Sequence, residues 1–260
     1  MIKRPNHVLG TSHQTIPRRQ YLFGLVDLDV KTIGLIGGMS WESTIPYYRH
    51  INEAVKRRLG GLHSARVILF SVDFHDIEQL QHGDKWDEAG AVLAEAASAL
   101  ERAGADFIVV CTNTMHKVAP AIEAAVRIPL LHIADPTARA IKHAGLHAVG
   151  LLGTRFTMEQ AFYRDRLQQD HGIEVLVPDA ADREMVHRII YDELCLGQIE
   201  DGSRDAYRAV ISRLVTRGAQ AVILGCTEIS LLVGADDASV PLFDTTAIHA
   251  HAAAEYALEA

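Results

Sequence analysis

The sequence predicts an α/β fold of two pseudo-symmetric, doubly wound lobes with mainly parallel four-stranded sheets and a functional cleft between them. Three observations carry this. From Lys31 onward, short apolar runs alternate with helical spacings of ten or more residues, the pattern of parallel sheets covered on both faces. The stretch Ile33-Gly34-Leu35-Ile36-Gly37 recurs as Val149-Gly150-Leu151-Leu152-Gly153. Each copy leads to an apolar strand ending in cysteine: Cys111 lies 77 residues after Gly34, and Cys226 lies 76 residues after Gly150. Two similar lobes, each presenting one thiol, explain that repeat.

The elements run in order along the chain. A strand is expected over 31–37, then a helix over 41–59 through Ile45, Tyr48, Ile51 and Val55, closed by Gly60 and Gly61. A strand over 66–73 precedes residues 74–79, read as a loop, and a helix over 86–103 that ends at Gly104. A strand over 106–111, a helix over 114–125 and a strand over 128–133 complete the first lobe. Pro136 suits the first turn of the helix that opens the second lobe. Next come strand 147–153, helix 158–171, strand 174–177, helices 182–196 and 203–217, strand 220–225 and a short strand over 240–243, with a closing helix over 245–258. The lobes are therefore 31–133 plus 244–260, carrying Cys111, and 134–243, carrying Cys226. Residues 1–30 read as an N-terminal extension: they carry Lys3, Arg4, Arg18 and Arg19 but lack the apolar core of a secretory signal.

Composition narrows the partners. A net charge of −8 opposes attraction to nucleic acid or to an anionic membrane, and no apolar run approaches a bilayer span. A small free molecule is the expected partner. Three cysteines, without zinc-finger spacing, indicate reduced thiols in a cytoplasmic protein. Fourteen histidines occur without an H-E-x-x-H pattern, so no metal is expected. The turn at Gly34, Gly37 and Gly38 lacks both the G-x-G-x-x-G and the G-K-[ST] spacing of nucleotide sites.

Ligands of parallel α/β sheets sit beyond the carboxyl ends of the strands. There, ahead of a helix, a thiol is expected to have a lowered pKa. If the lobes face each other, a ligand in the cleft has one sulfur on either side. Inverting a carbon by proton transfer needs a base on one face and an acid on the other, and a thiolate and a thiol supply both. The carbanion-like state then needs donors aimed at the substrate carboxylate. Met39 and Ser40 in the glycine turn, Asn113 and Thr114 after the first cysteine, Thr154 after the second glycine motif, and Thr227 are the candidates, all at strand ends. Asp73 and Glu228 are read either as groups that tune the thiols or hold the substrate ammonium, or as loop caps. Cys195, inside a helix and outside the repeat, reads as packing.

Val110-Cys111-Thr112-Asn113-Thr114-Met115-His116 and Leu224-Gly225-Cys226-Thr227-Glu228-Ile229 resemble the two cysteine signatures of the cofactor-independent aspartate/glutamate racemases. Gly37-Gly38-Met39-Ser40-Trp41-Glu42, Leu62-His63-Ser64-Ala65 and Gly153-Thr154-Arg155-Phe156-Thr157 are similar to the broad-specificity amino-acid racemase branch. This resemblance spans about residues 31 to 259. It implies a two-lobed fold, 1,1-proton transfer without pyridoxal phosphate or other cofactor, and a homodimer. It also implies Cys111 and Cys226 as the acid/base pair, with Met39, Asn113 and Thr114 on the substrate. Aspartate-specialised members place a basic residue after the second strand, where this chain has Glu78 and Gln79. That departure points to neutral polar or basic amino acids. The alternatives are an aspartate/glutamate-specific racemase, a maleate isomerase-like enzyme in which one thiol adds to substrate, and a two-lobed binding protein without turnover.

Overall fold

The computed structural model describes residues 30–259, so residues 1–29 of the expected extension lie outside the described residues. The first lobe runs β1 (Ile33–Gly37), α1 (Trp41–Leu59), β2 (Val67–Ser71), α2 (Phe74–His82), α3 (Trp86–Arg102), β3 (Phe107–Val110) and α4 (Ala119–Ala125). The second runs α5 (Ala134–His143), β4 (Ala148–Gly153), α6 (Arg155–Glu159), α7 (Ala161–Asp165), β5 (Glu174–Leu176), α8 (Ala180–Asp192), α9 (Asp201–Thr216), β6 (Ala221–Gly225), α10 (Ile229–Leu232) and β7 (Leu242–Asp244). The last helix, α11 (Thr245–Leu258), returns to pack against α1.

All pairings are parallel, in the order β2-β1-β3 in one sheet and β5-β4-β6-β7 in the other. In both lobes the glycine-motif strand lies directly beside the strand that leads to cysteine: Ile36 pairs with Val110, and Gly153 with Gly225. Side chains alternate across each sheet. Ile33, Leu35 and Val109 pack with α1 and α11, whereas Ile36, Ile108 and Val110 pack with α3. In the second lobe Leu151 and Ile223 face α5 and α7, and Leu152 and Leu224 face α8 and α9. Both sheets are thus covered twice, which is why their central strands read as unbroken apolar runs.

Small residues set the strand spacing at the cleft end. A Cβ on Gly153 would lie 2.7 Å from the Gly225 carbonyl oxygen, so a larger residue would push the two central strands apart. Gly38 turns the chain at φ 90°, and a Cβ there would sit 2.2 Å from the Val72 carbonyl oxygen.

Four expectations change. The first sheet has three strands, because the strand expected over 128–133 contributes one bridge, between Ile108 and Leu130. Pro129 brings no N–H to the ladder. The His132 ring then accepts the Ala134 N–H as the chain turns into α5. Residues 74–79 are not a loop: Asp73 caps the nine-residue helix α2 by accepting the His75 N–H at 3.0 Å. The helix expected over 158–171 is broken at Gln160, whose ψ of 153° is extended, into α6, α7 and a π turn. The helix expected over 114–125 starts as a 3-10 turn, Thr114–Val118, before α4.

Candidate active site

The carboxyl ends of β1, β3, β4 and β6 meet between the lobes. Cys111 leaves β3 with its N–H still bonded to the Ile36 carbonyl at 2.9 Å, and it is fully buried. Cys226 leaves β6 at the equivalent point and is 8% exposed. Its Sγ donates to Glu228 Oε2 at 2.9 Å. Glu228 is 2% exposed and collects three further donors. These are the Thr227 hydroxyl at 2.8 Å on Oε2, and the Ser40 hydroxyl at 2.8 Å and N–H at 3.4 Å on Oε1. Because Ser40 comes after β1, this carboxylate ties the turn of the first lobe to the thiol of the second.

Other hydroxyls and amides close the same region. Thr114 and Thr154 share a 2.9 Å hydrogen bond across the lobes, and Thr157 lies 3.3 Å from each. Asn113 Nδ2 donates to Thr245 at 3.0 Å, and Thr245 in turn donates to the Leu224 carbonyl at 2.8 Å. Asn113 Oδ1 and Thr246 Oγ1 are buried without a hydrogen-bond partner, an arrangement that suits a polar ligand. Gln81 and Tyr191 form a further cross-lobe link: the phenol donates to Gln81 Oε1 at 2.8 Å while Gln81 Nε2 donates to Met115 Sδ at 3.0 Å.

Burial pushes both thiols up from their ordinary pKa, and Glu228 adds to the rise at Cys226. This reverses the expected lowering. The expectation rests on a helix N-terminus after Cys111; after Cys226 the sequence leaves a helix or a tight turn open. Instead, Cys111 leads into a 3-10 turn, and Cys226 into a tight turn and the four-residue α10. Behind Cys111, three buried histidines stay neutral and brace the loop. Across the His116 ring, Nδ1 meets the Thr112 carbonyl at 2.8 Å and Nε2 accepts the Ile133 N–H at 3.1 Å. His249 bridges the Tyr47 hydroxyl and the Leu131 carbonyl. Burial holds His116 well below the usual histidine value, and brings His132 and His249 to about 3.

The fold therefore places Cys111, Cys226, Ser40, Asn113, Thr114, Thr154 and Thr227 at the carboxyl strand ends of the two lobes, with Cys111 packed in the first-lobe core beside Tyr47 and Ile51 and Cys226 in the second-lobe core beside Leu224 and Ile229. Met39 is buried in the first-lobe core with Ile36 and Ile77. Glu78 and Gln79, expected on a loop beside the substrate, stand on α2 instead. There Glu78 meets His82 at 2.8 Å and Gln79 is exposed. Asp73 is a helix cap. Cys195 packs against the second-lobe core in a 3-10 turn. Thr157, Gln81, Tyr191, Thr245 and Thr246 join the site as residues that the sequence patterns do not single out. The Asp244-Thr245-Thr246 stretch does carry a signal, because it begins just after an apolar strand and opens with a capping aspartate.

Comparison with known proteins gives the family and agrees with the fold. Residues 36–253 match the family model described as Asp/Glu/hydantoin racemase. The chain is 24% identical over 220 residues to the broad specificity amino-acid racemase RacX of Bacillus subtilis (strain 168), covering 83% of this chain and 93% of that protein. A crystal structure from Yersinia pestis, assigned as an Asp/Glu racemase, is 67% identical, covers 88% of this chain and 100% of its own, and superposes with a TM-score of 0.82. An aspartate racemase homologue from Pyrococcus horikoshii OT3 is 36% identical, with 88% and 100% coverage and a TM-score of 0.75. With the family model spanning most of its length and the paired cysteine strands in both lobes, this chain belongs to the Asp/Glu/hydantoin racemase family.

Proposed function

We propose that this protein is a cytoplasmic, cofactor-independent amino-acid racemase that moves the Cα proton of a free amino acid between Cys111 and Cys226. The observation that carries the reading is the equivalence of the two cysteines. Each comes after the strand that pairs with a glycine motif, one per lobe, and each is buried at the same end of its sheet.

In the reaction one cysteine acts as thiolate and takes the Cα proton. The other, a thiol, delivers its proton to the opposite face, so the pair ends with its charge exchanged and no net proton consumed. Asn113, Thr114 and Thr154 serve as donors to the substrate carboxylate, whose charge grows as Cα loses its proton. Glu228 holds the substrate ammonium. That positive charge offsets the carboxylate's pull on the Cys226 proton and makes the Cys226 thiolate less costly to form. Exclusion of water by the closed lobes strengthens each of these interactions.

The substrate class is neutral polar or basic amino acids. Among the described residues, the buried polar and charged side chains include Glu228 but no lysine or arginine. A second carboxylate on the substrate would meet that anion without a buried cation to balance it.

The test is incubation of single enantiomers from an amino-acid panel in deuterated buffer, with and without added pyridoxal phosphate, read by chiral chromatography and mass spectrometry. Racemisation with one deuterium at Cα, unchanged by pyridoxal phosphate, is expected. Absence of Cα exchange across the panel, or a covalent adduct on one cysteine with an unsaturated diacid, overturns the reading.

A further inference from the structure

Every group that the proposed reaction uses is buried. Cys111, Cys226, Asn113, Thr114, Thr154 and Glu228 all lie under the lobes, so a free amino acid reaches them only when the lobes part. Strand order shows which side is tethered. The chain leaves the first lobe after Leu130, which bridges to β3, and returns to it directly after β7. β3 and β7 each stand at one end of their sheet, whereas α2 and α8 follow β2 and β5, the strands at the opposite ends. The covalent crossings therefore hold one side of the cleft, and α2 meets α8 on the other.

A few side chains make that second seam. Gln81, on α2, is 3% exposed, and the Tyr191 hydroxyl from α8 supplies the hydrogen bond that its Oε1 accepts. The Tyr191 ring stacks on Phe74 with 6.3 Å between centroids and meets the His82 ring edge-on at 5.3 Å. Phe156, from α6, enters the first-lobe core with its ring 5.2 Å from that of Trp86. The seam also reaches the support of each sulfur. Gln81 Nε2 donates to Met115 in the Thr114–Val118 turn that follows Cys111, and Tyr191 packs against the core that contains Cys226.

This chemistry suits a contact that opens and closes. A purely apolar seam would expose its whole area to water on parting. Here a side-chain carbonyl, a phenol and an imidazole face one another, and water replaces their partners when the lobes separate, so the net cost of breaking each bond is modest.

We propose that Gln81, Tyr191 and Phe156 form a latch on the untethered side of the cleft, positioning residues whose release admits the amino acid and whose closing returns the Cys111 turn and α8 to register. The bearing of the latch on turnover rests on the racemase reading; the opening itself does not.

Alkylation of the full chain by iodoacetamide, followed at Cys226 by peptide mass spectrometry, reads that opening without substrate. A buried sulfur is modified at a rate set by the open population. Tyr191→Phe, which deletes the hydroxyl and keeps the ring, is expected to quicken modification of Cys226 roughly two- to tenfold, the worth of one neutral hydrogen bond. Gln81→Met is expected to quicken it as well, although Gln81 belongs to the other lobe, which separates parting of the lobes from local loosening of α8. The double variant should match Gln81→Met alone, because the shared bond is already gone. Amide exchange in β1 and β4 should keep its wild-type rate in all three variants, whereas a general loss of stability would quicken it. Unchanged modification in either single variant, or quickening matched by faster exchange in β1 and β4, overturns the latch and leaves the racemase reading untouched. The expected quickening in a chain that racemises no amino acid keeps the latch and removes the racemase reading alone.

Discussion

Ser40 and Glu228 stand 188 residues apart in the chain and are joined by a 2.8 Å hydrogen bond that crosses from one lobe to the other. The carboxylate receiving that bond also holds the Cys226 thiol proton. A contact between the lobes and the proton of the Cys226 sulfur therefore meet at a single side chain. On the proposed reading, a substrate ammonium entering beside Glu228 changes both at once.

Replacing Glu228 by Gln keeps the size of the group and removes its charge. The ammonium loses a charge-assisted partner, a difference of about 1.5–3 kcal/mol, so KM should rise roughly ten- to a hundredfold. The Cys226 thiol loses its neighbouring anion, so its pKa falls from its raised position. In kcat/KM against pH, the limb that rises with thiol deprotonation should begin at lower pH in Glu228→Gln. An unchanged KM with a superimposable profile would show that Glu228 is only a loop tie.

Cys111→Ser and Cys226→Ser should each lower racemisation about 10²- to 10⁴-fold, the usual contribution of a positioned acid or base. Both directions of turnover should fall in each variant, because every inversion needs one sulfur to accept a proton and the other to donate. Loss in one variant with near-normal turnover in the other contradicts the two-base assignment.

The strand glycines, both cysteines and the doubled architecture are legible in the sequence because each is a local pattern repeated at nearly equal spacing. The contacts that make the cleft are not. Ser40 to Glu228 and Gln81 to Tyr191 join residues 188 and 110 positions apart, and no periodicity encodes such pairs. Helix α2 escapes a periodicity reading because nine residues after an apolar strand give too short a window for a 3.6-residue period, although Asp73 marks its start. The direction of the thiol shifts depends on the backbone beyond each sulfur. Turns and burial replace the expected helix ends there, and desolvation outweighs any local dipole.

Substrate choice can be read from paired amino acids that differ in one charge. Aspartate should be turned over at least about tenfold less efficiently than asparagine, a difference of about 1.4 kcal/mol that one uncompensated anion readily supplies. Glu78→Arg should raise kcat/KM for aspartate relative to asparagine if Glu78, midway along α2, senses the substrate side chain. A ratio that does not move assigns the discrimination to Glu228 alone.

Acid should destabilise the fold before it protonates the carboxylates, and the cause lies behind Cys111. His132 and His249 have pKa values brought down by burial from 6.5 to about 3, and His116 is lowered well below 6.5. A histidine with a lowered folded pKa contributes stability that is complete above the unfolded value and lost as pH falls toward the folded one. At about pH 5, His132 and His249 should each cost about 2 kcal/mol relative to pH 7.5. Protonating His116 would also set a new N–H against the Ile133 N–H that its Nε2 now accepts, loosening the Cys111-Thr112-Asn113 turn. Melting measured from pH 7.5 to 5 should therefore show a steep fall in Tm, shallower in His132→Asn, which removes one of the three titrating rings. A Tm that stays level across this range would mean that the three rings are solvated in solution and do not brace the loop.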